Sequence, residues 1–234
     1  MLEQSFLYAL SHAEELFGAL VRHLQYVAVA LGVGMAVCIP LGVWTSRARS
    51  RAAALGVINA FSALRVVPSL AVLFLSIPYF GLTFTSSAIA LTILALPPIL
   101  INTDAAFRTI DPAVKEAAVG MGMTPRQVLW RVEVPLALPV ILTGIRTATL
   151  EVIASATLAA FIGGGGLGLY ITRGFALYDT AILLVGALPI ALLSLLVELL
   201  LSALQRALEP PDQRSALKPS PLTPSPRIGE GAGG

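Results

Sequence analysis

The chain has 234 residues, of which 56% are hydrophobic and only 12% charged, with a mean hydropathy of +0.85. Water-soluble domains carry about 25% charged residues, so this composition excludes a water-facing surface over most of the molecule and fits one that faces lipid. The net charge is a modest +2, and the single cysteine, Cys38, excludes a disulfide framework.

Residues 4–24 carry a helical stripe: Phe6, Leu10, Ala13, Phe17, Leu20 and Leu24 recur at spacings of four and three. Glu14, Glu15 and Arg22 lie off it, which predicts an amphipathic interfacial helix over residues 1–23. His12 and His23 are not spaced as metal ligands and read as solvated or interfacial side chains. The N-terminus lacks a basic region, so no cleavable signal peptide is expected.

Leu24 to Trp44 contains no charge and is long enough for a first span. Cys38 inside it reads as a small packed residue. A second span covers Ala52–Ile77, interrupted by Arg65 and Pro68, and is followed by a turn-rich Pro78–Ser87. The third runs over Ala88–Thr103 with Pro97 and Pro98 inside it; neighbouring helices can satisfy backbone groups that proline frees. Asp104–Pro139 is polar enough to lie outside the membrane. A fourth span covers Val140–Ile162, a glycine-rich loop Gly163–Asp179, and a fifth span Thr180–Leu204. Residues 24–208 thus form a transmembrane domain of about five helices. From Glu209 the composition changes to six prolines and four glycines in 26 residues, which predicts a disordered tail over 209–234.

Lysine and arginine orient the spans. Alternating the loops places Arg47, Arg49, Arg51, Arg108, Lys115, Arg126, Arg131, Arg206 and three tail residues on one side, and only Arg22 and Arg173 on the other. The first side is therefore expected to be cytoplasmic, with the N-terminus outside and the C-terminus inside.

The loop 104–139 reads as two short helices. Asp111-Pro112 starts one, with Asp as N-cap and Pro at the first helical position. Gly120 and Gly122 allow a sharp turn. Thr124-Pro125-Arg126-Gln127 starts the second as a capping box, and Pro135 is expected to stop it. A plain connector seldom carries two capped helices. A DNA-binding helix-turn-helix would need excess positive charge, but four basic residues here face four acidic ones. A docking element for a soluble partner fits better.

At these residues the chain resembles a family. Glu116-Ala117-Ala118, Gly122 and Val132-x-Val134-Pro135 resemble the EAA loop of binding-protein-dependent ABC importer permeases, with valine at both apolar positions of the usual Ile-x-Leu-Pro ending. Val67-Pro68-Ser69-Leu70-Ala71, Gly144-Ile145-Arg146-Thr147-Ala148-Thr149 and Gly163-Gly164-Gly165-Gly166-Leu167-Gly168 are similar to the osmoprotectant permeases for glycine betaine, carnitine or choline. The resemblance implies an all-α membrane protein, a type I ABC importer transmembrane domain. It implies a multi-pass chain in the inner membrane of a prokaryote, with a second permease (identical or a paralogue), two ATPase subunits on the cytoplasmic side that use ATP and Mg, and an extracytoplasmic substrate-binding protein. ATPase coupling falls to Glu116, Ala117, Ala118, Gly120, Gly122, Thr124, Pro125, Val132 and Pro135.

Arg65, Arg146, Glu151 and Glu198 lie in or near spans, where an arginine costs about 2.5–3.5 kcal/mol on insertion scales. Arg146 and Glu198 are close enough to span ends to reach the cytoplasmic surface. Glu151 is deeper and is a candidate for the translocation path, with Asn59, Ser62, Arg65 and Ser155; packing between helices is the competing reading. Gly163, Gly164, Gly165, Gly166 and Gly168 lack the Gly-Lys-Ser/Thr ending of a phosphate loop and read as an extracytoplasmic hinge or gate. No metal cluster, nucleophile-base pair or ATP-binding motif is apparent, so no enzyme activity, cofactor or nucleic-acid partner is expected. Transport of another small solute, such as an amino acid or sulfonate, stays open, as does an ion-coupled carrier or channel.

Overall fold

The computed structural model describes residues 2–208, and the tail expected at 209–234 lies outside the described residues. These residues are helical and contain no strand. Among the described residues four helices are long and apolar enough to cross a membrane, and a bent pair is long and apolar enough to make a fifth if it is counted as one span.

Helix α1 spans Leu2–Ser11 and α2 spans Ala13–Arg47. The break falls at His12, whose ring stacks on Tyr8 at 4.2 Å between centroids. At 1.5 Å per residue α2 is about 53 Å long, well beyond the ~30 Å hydrocarbon core. The boundary expected after residue 23 therefore falls inside a continuous helix. Only α1 stands apart, packed against the last helix and the start of α2. His23 is not solvated: it is fully buried. The stripe from Phe6 to Leu24 instead looks outward, with Phe6, Leu10 and Phe17 exposed.

The crossing expected over Ala52–Ile77 is broken. Helix α3 (Arg51–Leu64) and α4 (Ser69–Phe80) meet at 93°. Pro68 accounts for the break. It has no N–H to donate, and its ring pushes Val67 out of helical geometry, so α3 ends just before and Pro68 becomes the N-cap of α4. The segment expected to be turn-rich, Pro78–Ser87, is mostly helical: α4 runs through Pro78, and α5 starts at Phe84 with the Thr83 hydroxyl accepting from the Ser86 amide.

Helix α5 (Phe84–Arg108) is the centre of the bundle, packed against α2 and against α8 (Val134–Ala156). Ala90, Leu91, Ala95, Ile99 and Leu100 on it are fully buried. Small residues set the helix spacing, as in membrane bundles generally. A Cβ on Gly42 would stand 2.6 Å from Cβ of Thr103, and one on Gly144 2.7 Å from the Pro98 carbonyl oxygen.

Two extramembrane expectations change. Helix α6 (Pro112–Gly120) and α7 (Pro125–Val128) are present, but Pro135 does not stop α7. The chain continues through a π-helical turn, Leu129–Glu133, into α8 and then a 3₁₀ stretch, Thr157–Ile162, giving one rod over Pro125–Ile162. Pro135 cannot donate to the Arg131 carbonyl and its ring crowds it; the wider π turn absorbs that conflict. The loop outside the rods thus shrinks to Thr109–Thr124. Second, the expected loop 163–179 contains helix α9 (Gly168–Ala176). Helix α10 (Thr180–Leu208) packs on α8 and α9 and presents Leu192, Leu195, Leu196 and Leu199 outward, as a lipid-facing helix does.

Substituting Gly144 with Val should lower the thermal midpoint of the purified protein in detergent, at a cost of about 1–3 kcal/mol typical of overpacking. Gly56→Ala, with open space around its Cβ, should leave the midpoint unchanged or slightly higher.

Candidate functional site

At one end of the bundle, α6 is built from local signals. The Asp111 carboxylate accepts from the Ala113 amide at 2.8 Å, and Pro112 occupies the first turn. The helix closes with two reverse bonds: Gly122 N–H donates to the Val119 carbonyl (2.9 Å) and Met123 N–H to the Ala118 carbonyl (3.2 Å). This is the Schellman closure, which needs a left-handed residue, and Gly122 supplies it at φ +81°. Gly120 is still helical, with nothing near its Cβ, so only one of the two expected turn glycines is required by geometry. The capping box of α7 is complete: Thr124 N–H donates to Gln127 Oε1 at 2.8 Å, and Gln127 N–H donates to Thr124 Oγ1 at 3.4 Å.

Of the nine expected coupling residues, Glu116, Ala117, Gly120, Gly122, Thr124, Pro125 and Pro135 are exposed, Val132 is half-buried and Ala118 is buried beneath α6. Val119, Met121 and Trp130 join them as an exposed apolar rim.

A charge cluster that the sequence did not single out fixes this end. Glu133, 7% exposed at its side chain, is paired with Lys115 of α6 at 3.1 Å and with Arg47 at the end of α2. The Arg47 guanidinium also lies 5.9 Å above the Phe107 ring. Arg108 donates to Asp104 (2.7 Å) and to the Thr45 carbonyl (2.7 Å). The equal numbers of acids and bases in the loop were the only sequence signal for these pairs.

The second feature is a cavity of about 380 Å³ at the α3–α4 break, lined by Arg65, Pro68, Ser69, Pro97, Glu151 and Ser155 among others. Arg65 caps the C-terminus of α3 and approaches Glu151 at 3.4 Å. Their side chains are 51% and 39% exposed. Glu151 is 11 residues from the rod's end at Ile162, about 20 Å along the axis with its 3₁₀ stretch, and so lies well inside the length of a hydrocarbon span. Partly exposed charges at that depth do not face lipid; they face water or another protein surface. Three of the five expected path residues, Arg65, Glu151 and Ser155, meet here. Asn59 is exposed elsewhere on α3, and Ser62 spends its hydroxyl on the Ile58 carbonyl of its own helix.

A second intramembrane pair differs in kind. Arg146 of α8 and Glu198 of α10 pair through two contacts, one of them Nε to Oε2 at 2.6 Å, with about a third of each side chain exposed. The sequence led each toward the surface; they bind each other instead.

At the opposite end, the glycine-rich turn is tightly packed at Gly164 and Gly168 and open at Gly165. Gly163, Gly165 and Gly166 have φ of +73°, +75° and +79°. A Cβ on Gly164 would meet Ser87 Oγ at 2.6 Å and Tyr26 Oη at 2.7 Å, and Gly168 abuts the Thr157 backbone. Tyr26 donates its hydroxyl proton to the Gly164 carbonyl at 2.5 Å, and His23 Nε2 lies 3.2 Å from the Ile153 carbonyl. Beside this turn, burial pushes the Tyr170 hydroxyl above the ordinary phenol range, helped by nearby Glu15. Among the described residues no group of histidine, cysteine or carboxylate side chains could hold a metal.

Comparison with known proteins gives a consistent result. Residues 38–211 match the family described as binding-protein-dependent transport system inner membrane component. A carnitine transport permease protein of Listeria monocytogenes is 43% identical over 195 residues, covering 83% of this chain and 88% of the relative. A choline transport system permease protein of Bacillus subtilis is 39% identical, covering 81% and 86%. An osmoprotectant import permease protein of Salmonella typhimurium is 39% identical, covering 87% and 96%. The inward-facing methionine ABC transporter MetNI aligns with a TM-score of 0.75 at 21% identity, over 86% of this chain and 99% of that one. That likeness establishes the fold: the transmembrane domain of a type I ABC importer.

Removing one member of the α8–α10 pair should be costly. Arg146→Leu should destabilise the protein by roughly 1–3 kcal/mol, below the 3–5 kcal/mol of a fully buried pair because water reaches it. The double variant R146L/E198L should recover much of that loss. Thermal unfolding of the three variants in detergent checks the non-additivity.

Proposed function

The chain belongs to the family of binding-protein-dependent transport system inner membrane components, and from that membership we propose how this permease subunit of an ABC importer works and what it carries. Its cargo is a quaternary ammonium osmoprotectant of the glycine betaine, carnitine or choline type. Relatives at 38–43% identity that carry these solutes in their names support this. Two permeases, identical or paralogous, line one path between them. Two separate ATPase subunits bind ATP and Mg and hydrolyse the nucleotide; this chain has no Gly-Lys-Ser/Thr phosphate loop of its own. A substrate-binding protein delivers solute at the opposite end. The excess of arginine and lysine around α6 supports a cytoplasmic location for that end, with the N-terminus outside.

The observation that carries the reading is the exposed, doubly capped helix α6 anchored through Lys115 to Glu133. A helix with free ends would bend under load. This one is closed at both ends and bonded to the rod of α8 and, through Arg47, to α2. ATP-driven closure of the partner ATPases then becomes a tilt of those helices, a rigid-body switch between two access states. Glu116 contacts the ATPase, while Gly122 holds the turn. The half-exposed Arg65–Glu151 cavity, with Ser155, is the segment of the path that this subunit contributes. The packed glycine turn 163–168 forms the outer stop against which the path closes.

Glu116→Lys should cut ATP-driven uptake in proteoliposomes at least tenfold and weaken co-purification of the ATPase, with the permease's thermal midpoint unchanged. Gly122→Val should do both and also lower the midpoint, because a β-branched residue is strained at φ +81°. Gly120→Ala should be silent in all three measurements. A carrier that works alone would purify without an ATPase and transport without ATP, which would overturn the proposal.

A further inference from the structure

We infer that the Arg65–Glu151 cavity is a zwitterion-selective transit site, in which the ion pair opens and each partner takes the opposite charge of the solute. The inference rests on the permease reading above and adds to it a selectivity filter inside the membrane. The contrast with Arg146–Glu198 shows that this pair is built to open. That pair has two contacts and is about a third exposed, while Arg65 and Glu151 share a single contact at 3.4 Å and are 51% and 39% exposed.

The cavity is also polarised. On the Arg65 side lies the start of α4, where Pro68 gives no side-chain cap and leaves the positive helix end open toward Ser69. A guanidinium beside an uncapped helix N-terminus favours a carboxylate. The facing wall carries Glu151, with Leu94 and Pro97. This wall is negative through the Glu151 carboxylate and favours an ammonium group. No aromatic side chain lines the cavity, so the cation is held by charge, not by a ring cage. A zwitterion of betaine type satisfies both walls and replaces the ion pair one for one. A bare cation such as choline satisfies Glu151 only and leaves Arg65 without a counter-charge.

The test is uptake of radiolabelled glycine betaine and choline by the full complex in proteoliposomes, with binding protein saturating for both. The wild type should pass betaine in preference to choline. Arg65→Gln should lower the betaine-to-choline ratio about ten- to a hundredfold, the range of a lost charge-assisted hydrogen bond, and Glu151→Gln should lower uptake of both. The binding protein is unchanged between variants, so a shifted ratio belongs to the permease. Arg65→Lys, which keeps the charge, should hold the ratio near wild type. If Arg65→Gln does not assemble with the ATPase, Glu151→Asp, which keeps both charges but lengthens the gap, should lower uptake of both solutes without moving the ratio more than about twofold; a large ratio change there overturns the inference. An unaltered ratio in Arg65→Gln, or a wild type that prefers choline, overturns the selectivity inference and leaves the permease reading intact. A wild type that imports neither solute with ATP would instead overturn the substrate class itself.

Discussion

Glu133 is a nearly buried carboxylate between two cations that arrive from different helices, Lys115 from α6 and Arg47 from the end of α2. Glu133 could not settle here without them, because a charge withdrawn from water must be paired, and it is the carboxylate and not its half-exposed partners that is buried. The carboxylate in turn sits on the π turn that joins α7 to α8. The joint therefore exists because Pro135 obliges the helix to widen one turn earlier, and the widened turn carries Glu133 beneath α6. A backbone conflict set by a single proline and an ion triad are two parts of the same connection between the exposed loop and the bundle.

Within the membrane, α8 carries the next two charges, Arg146 and Glu151. Five residues on a helix separate them by about 140° around the axis, so they face different neighbours: α10 for Arg146, the α3–α4 break for Glu151. One pair is doubly bonded and fixes α10 to the rod. The other is single, long and wet. The same helix thus carries one doubly bonded pair on one face and one long, single contact on another, and the proposed exchange of partners falls on the weaker of the two.

Much of this was legible in the sequence. The charge-free runs locate the crossings, because lipid tolerates no unpaired polar group. The caps of α6 and α7 are local chemistry, and Asp111, Thr124 and Gln127 bond as their spacing implies. What the sequence hid depends on tertiary partners. Pro135 reads as a stop until a π turn is available to absorb it. Arg146 and Glu198, 52 residues apart, read as two surface-seeking charges until α8 and α10 are placed side by side. His23 reads as interfacial because its partner, the Ile153 carbonyl, lies on a distant helix. The glycines at 163–168 do not tell in sequence which of them are closely packed, because the same residue type serves flexibility and close packing; the crowding at Gly164 and Gly168 comes from tertiary neighbours. Among the candidate path residues, Arg65, Glu151 and Ser155 converge, whereas Asn59 and Ser62 shared only a helix with Arg65.

Both ends of the rod are bound to α2: Glu133 to Arg47 at one end, and the Ile153 carbonyl and Gly164 to His23 and Tyr26 at the other. With α5 wedged between them by glycine contacts at Gly42 and Gly144, α2, α5 and the rod form a frame that resists shear. The broken pair α3–α4 leans on α5 and makes few contacts with α2. It begins at the basic end next to Arg47 and turns at the cavity. The 93° break, where Arg65 meets Glu151, is therefore the joint least tied to that frame. The most loosely packed crossing in the bundle is thus the one that carries the Arg65–Glu151 pair, the pair on which the proposed path and its proposed selectivity both depend.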